Sequence, residues 1–241
     1  MGSIVMKSAS RTAAWLGVLL AISATMSRAD DRPMVAFENK SSSLLITIGG
    51  KLFATYVFDD GPTTRPFFMH LHAPDGSQVT RNHPPDPQKD LTDHANFHPG
   101  LWLAFGDLNG ADFWRNKDRV RHVAFVDGPR NGPGRGSFSV KNQYESGGRS
   151  IGNEVAHINV SVRPAGYLLR WDSEFTPNDR VLTFGDQEEM GLGIRMATPL
   201  AVAKGGRIIN SNGLRNEAQV RSKSTRLNSS HGIGSRMPSS A

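Results

Sequence analysis

Apolar and polar positions alternate with a period of two along much of the chain between residues 30 and 221. In "HINVSV", Ile158, Val160 and Val162 fall on one side while His157, Asn159 and Ser161 fall on the other. That is the pattern of a strand with one buried face. The runs "SSLLITIGG", "KLFATYVFD", "RPFFMHLHA", "RVRHVAFVD", "GSFSVKNQY", "EVAHINVSVRP", "YLLRWDSEF" and "GLGIRMATPL" are short and rich in β-branched or aromatic residues. Gly49-Gly50, Asp60-Gly61-Pro62, Asp75-Gly76, Asn131-Gly132-Pro133 and Gly147-Gly148 separate them as turn signals. A long helical period and an internal repeat are both missing from this span. The pattern predicts an all-β, antiparallel sandwich formed as one domain. One segment stands out: the Pro- and Asp-rich stretch 75–96 is long for a connection, and long ordered loops tend to carry function.

The two ends differ from the middle. Lys7 and Arg11 precede the apolar core "AAWLGVLLAISA", and Ser27-Arg28-Ala29 supplies small residues for cleavage after Ala29. This predicts a signal peptide over 1–29 and an exported protein, periplasmic or secreted. The core is too short for a membrane-spanning helix, and the chain has no cysteine to form disulfides outside the cell. At the other end, "KSTRLNSSH" and "SRMPSSA" read as in-frame translations of a sequencing adapter, separated by a Gly-Ile-Gly the length of a sample index. The expectation is therefore that natural sequence stops near Arg221 and that 222–241 is not natural protein; a disordered Ser-rich tail is the other reading.

These ends decide the charge balance. The whole chain has 28 Lys and Arg against 22 Asp and Glu. Removing Lys7, Arg11, Arg28, Lys223, Arg226 and Arg236 leaves 22 against 22. The basic surplus that would point to nucleic acid or an anionic membrane disappears with them. Expected partners are a small molecule or an oligosaccharide, with no nucleic acid, and no membrane after signal cleavage.

Histidines cluster. Five of the eight, His70, His72, His83, His94 and His98, fall in one short interval beside Asp86, Asp90 and Asp93. Alternation puts His70 and His72 on one face of a strand. Such a group could bind Zn, Cu or Fe, although no HExxH-type spacing is present. It could equally supply acids and bases near neutral pH. The metal and cofactor content stays open. His122 and His157 lie in separate strands and read as packing or surface residues. Trp102 and Trp114 read first as core anchors, and Gly106-Asp107-Leu108-Asn109-Gly110 reads first as a turn.

The block "FHPGLWLAFGDLNGADFWRNKDRVRHV" resembles the signature of a secreted bacterial family known as methane oxygenase PmoA-like. "RPFFMHLHAPDGSQVTRNHPP" and "EEMGLGIRMATPLAV…GGRIINSNGLRNE" are similar to its flanking blocks, in the same order. The resemblance implies a galactose mutarotase-like supersandwich, a class whose members bind and act on carbohydrates with histidine and an acid. It also implies a longer chain, incomplete here at its C-terminus, with further Trp, Asp, His and Arg positions. By that analogy His70, His72, His94, His98 and Glu189 are candidate proton-handling residues. Arg81, Trp102, Asp107, Asn109, Trp114 and Arg195 are candidate substrate-binding groups. The expected function is an exported carbohydrate-active protein of mutarotase, lyase or hydrolase type. The alternatives are a non-catalytic sugar-binding module, or the metal-dependent oxidoreductase that the family label suggests.

Overall fold

Strand β9, Arg149–Arg163, shows how the alternation becomes a fold. Ala156, Ile158 and Val160 are fully buried, while the residues between them are only partly covered. The computed structural model describes residues 30–220. The stretches expected to be a signal peptide and an adapter-derived tail lie outside the described residues.

The other strands are β1 Met34–Asn39, β2 Ser43–Ile48, β3 Lys51–Val57, β4 Phe67–Met69, β5 Leu101–Phe105 and β6 Arg119–Arg130. They continue with β7 Gly132–Pro133, β8 Arg135–Ser146, β10 Gly166–Pro177 and β11 Met190–Ile194. They form a seven-stranded sheet, β11-β5-β4-β3-β2-β1-β7, and a four-stranded sheet, β10-β9-β8-β6. The pairings are antiparallel. The protein is an all-β antiparallel sandwich. Its main core joins Val35, Leu44, Ile46, Tyr56, Phe68 and Leu101 of the larger sheet to Phe138, Val140, Ile158 and Val160 of the smaller one.

Local chemistry explains the tight hairpins. Gly49-Gly50 and Gly147-Gly148 all take positive φ, the backbone that a two-residue hairpin needs and that glycine adopts without strain. Asn131-Gly132-Pro133 behaves differently. Instead of only turning the chain, Gly132 and Pro133 pair with Val35 and Met34 as the edge of the larger sheet.

The histidine strand is shorter than expected. β4 ends at Met69, because His70 takes φ 54. The alternation that would place His70 and His72 on one strand face therefore stops before it reaches them. His72 instead forms an isolated bridge with Gln78.

Candidate functional site

Within the larger sheet, Phe68 and Leu101 face the inter-sheet core, so alternation turns their neighbours Phe67 and Trp102 to the outer face. Those two are opposite each other in the β4–β5 register and belong to a separate cluster with Val57, Ala104 and Trp114. Trp102 also lies opposite Gly193 of β11. A side chain there would meet the Trp102 ring at 2.4 Å and Trp114 at 2.8 Å, so the indoles occupy the space glycine leaves. Trp114 meets Trp102 edge to face at 5.2 Å.

The connection between β4 and β5 lays histidines on this platform. His83 meets Phe67 edge-on at 4.9 Å. His98 stacks on Trp102 at 4.9 Å with an 18° tilt, and His94 stacks on His98 at 4.8 Å with a 26° tilt. The result is a column of three rings running from exposed His94 to buried Trp102.

Buried arginines pin the column. Arg81 is only 1% exposed and donates to the carbonyls of Leu91, Asp93 and His98 at 2.7, 2.7 and 3.1 Å. Arg65, also buried, donates to the carbonyls of Phe113, Trp114 and Phe97 and to Asn116 Oδ1, with its guanidinium 5.6 Å from the Trp102 ring centroid. Burial pulls the Arg65 pKa down to about 9. Carbonyl dipoles stabilise these cations, so the loop keeps its shape without regular secondary structure.

The same charges set the chemistry of the histidines. Burial first, then His94 and the guanidinium groups of Arg195, Arg65 and Arg81, lower the His98 pKa to about 4. His98 is a neutral imidazole at neutral pH. His70 is pushed below its usual value as well, by burial and by His72 and His83. Above His98, the Asp93 carboxylate lies 2.9 Å from His94 Nδ1 and accepts a hydrogen bond from Arg195. The His94 bond heads the causes that hold the Asp93 carboxyl below its usual range, joined by Arg195 and Arg81. His94 itself has φ 52, a conformation uncommon outside glycine and more frequent at functional positions.

The structure sorts the expected site residues. His94, His98, Arg195, Arg81 and Trp102 come together in or beside the column, and His70 lies within electrostatic reach of His83. Several of these residues are engaged in contacts of the fold. Trp102 and Trp114 are 2% and 8% exposed, so neither offers a ring face to a sugar in solution. Arg81 is committed to backbone carbonyls and serves the loop. His72 turns its Nδ1 to the carbonyl of His70 at 2.6 Å. Glu189 pairs with Arg115, which also holds Asp112.

Asp107 and Asn109 belong to another place. Asp107 accepts from the Gly110 amide and Asn109 from the Thr183 amide, as turn residues do. Asn109 lines a separate cleft with Ser146, Arg149 and Asp179. His122 and His157 are packing and surface residues: the first packs against Phe58 at 4.6 Å, and the second bonds Ser139. Among the described residues, no three His, Asp or Glu side chains converge to hold a metal ion.

Two positions that shape this cluster escape a reading of histidines alone. Asp93 orients His94, and the adjacent Asp-His pair in the chain was the available signal. Arg65 carries no such signal, because only the fold brings it beneath Trp102.

A family model described as "Family of unknown function (DUF6807)" matches residues 43–235. The chain belongs to that family. The matched span runs beyond Arg221 into the stretch that reads as adapter. None of the curated proteins and none of the solved structures compared with the chain matches it.

Proposed function

We propose that this family member is an exported carbohydrate-active protein in which His94, oriented by Asp93, moves a proton at a sugar bound on the outer face of the seven-stranded sheet. The observation that carries the reading is the Asp93–His94 pair: a carboxylate 2.9 Å from Nδ1, braced by Arg195, on an exposed ring stacked over neutral His98. An ionised Asp93 accepts a hydrogen bond from Nδ1–H and leaves Nε2 free to take a proton. Such a base can open a sugar ring by accepting the anomeric hydroxyl proton. It can also start an elimination by taking a carbon-bound proton next to a carboxylate. In the first case the bond from the anomeric carbon to the ring oxygen breaks and Nε2 returns the proton to that oxygen; in the second the C–O bond on the adjacent carbon breaks and the departing oxygen leaves with the proton from Nε2. His98, without a charge of its own, separates the exposed base from the buried indoles.

The resemblance to the PmoA-like blocks weighs in the same direction, because the supersandwich class it implies handles sugars with histidine. The oxidoreductase reading has no converging metal donors behind it among the described residues.

The test is turnover by the purified chain on a panel of neutral and uronic sugars, scoring anomerisation, elimination and hydrolysis. His94→Ala should lower kcat by about 100-fold or more, the usual scale of a lost acid–base group, while sugar affinity changes little. His98→Ala removes the ring on which His94 stacks and should lower kcat through lost positioning of the base, with only a modest effect on binding. Sugar binding without turnover in the unaltered chain would replace the enzyme with a binding module. Full turnover by His94→Ala would overturn the assignment of the base.

A further inference from the structure

On the far side of the sandwich, the outward residues of β9 line a cleft of about 300 Å³, at the small end of the range for ligand pockets. Its charged side chains are Arg32, Arg135, Arg163 and Arg170, with Asn159 and Ser161 between them. The register explains the grouping. Ile158 and Val160 point into the core, so Asn159 and Ser161 point out. β8 sets Arg135 opposite Ser161, and β10 sets Arg170 opposite Asn159.

Four guanidinium groups line this cleft without any carboxylate among the lining residues. The segment 30–221 is charge-balanced, so this grouping does not follow from composition. Arg170 is held by Asp172, and Arg32 has contacts of its own. Among the described residues, neither Arg135 nor Arg163 pairs with a carboxylate. Gathering like charges costs energy that an anion would recover. Gly134 takes φ 69, and the Arg32 side chain lies beside it.

We propose that this cleft binds a small molecule carrying oxyanion groups, with Arg135 and Arg163 as the main contacts and Asn159 and Ser161 as neutral partners. Guanidinium forks match carboxylate, sulfate and phosphate oxygens two at a time, a fit that an ammonium group does not reproduce. The two source classes that share this chemistry are acidic sugars and free inorganic oxyanions. The inference does not rest on the proton chemistry of His94, which sits on the outer face of the other sheet.

The experiment is isothermal titration of the full chain at low salt with a sulfated disaccharide, its unsulfated counterpart and inorganic phosphate. The anions should bind at least tenfold more tightly than the neutral sugar and weaken as salt is raised. Tighter binding of the sulfated sugar assigns the site to acidic saccharides, and tighter phosphate binding assigns it to free oxyanions. The double variant Arg135→Ala/Arg163→Ala should lose at least tenfold in affinity for the anions, whereas Arg121→Ala, an exposed arginine elsewhere, should not. Should the double alanine variant fail to fold, Arg135→Lys/Arg163→Lys keeps the charge and should still lose affinity through the missing forks. Equal binding of the neutral sugar, or anion binding unchanged in the arginine variants, would overturn the proposal.

Discussion

At the scale of single residues, environment separates two histidines with the same intrinsic chemistry. His98 is packed between rings and surrounded by cations, and its pKa falls from 6.5 to about 4. The unfolded chain takes up that proton below about pH 6.5 while the native chain does not, so this contribution to stability is present above pH 6.5 and is lost as pH falls toward 4. His98→Phe keeps a ring on Trp102 and removes the titration. Urea midpoints at pH 7 and pH 4.5 should fall less for the variant than for the unaltered chain. Some loss should remain, because His70 and His122 are shifted in the same direction. Equal falls in both proteins would show that His98 titrates normally. The histidine cluster itself was legible from spacing. Its division into exposed base, neutral spacer and packing ring was not, because that depends on Arg65 and Arg81, which fold beneath the ring column from distant positions.

At the scale of elements, alternation was a good guide wherever only one strand face is buried. Most of β9 and β10 follow it, although Glu154 turns to the core and Leu168 to solvent. It failed for β5, where "LWLAF" is a near-continuous apolar run. Leu101 packs into the inter-sheet core while Trp102 packs beneath the histidine loop, so both faces are covered and no polar position marks the strand. That double burial is what lets β5 connect core to site. Gly193 on neighbouring β11 is the weak point of the arrangement. Gly193→Ala would drive a methyl group into both indoles and should cost about 1–3 kcal/mol, the range for an overpacked core position. Chemical denaturation gives the cost, and near-UV circular dichroism should report displaced tryptophans. An unchanged spectrum with unchanged stability would mean that Trp102 and Trp114 are not seated over this glycine.

At the scale of the whole molecule, the inter-sheet core contains an ionisable group that no sequence pattern revealed. Glu154 is 2% exposed and accepts from Asn142 at 3.0 Å and from Ser173, with Tyr144 near it. Burial pushes its carboxyl above the ordinary 4.5. Its contribution to stability is therefore fully present below about pH 4.5 and is lost as pH rises through the elevated native value. Glu154→Gln keeps an acceptor for Asn142 and Ser173 and should flatten the loss of stability that sets in as pH rises above about 4.5. A loss as steep as in the unaltered chain would place that titration elsewhere. The sandwich thus presents two outer faces of different character, one with a histidine column and one with an arginine cleft. The central claim is that the first of them handles sugars. It is tested most directly by following the histidine ring resonances by NMR while a sugar that the chain turns over is added. The account predicts saturable shifts at His94 and His98, with His122 and His157 unmoved. Shifts confined to His122 or His157, or none while turnover continues, would contradict it.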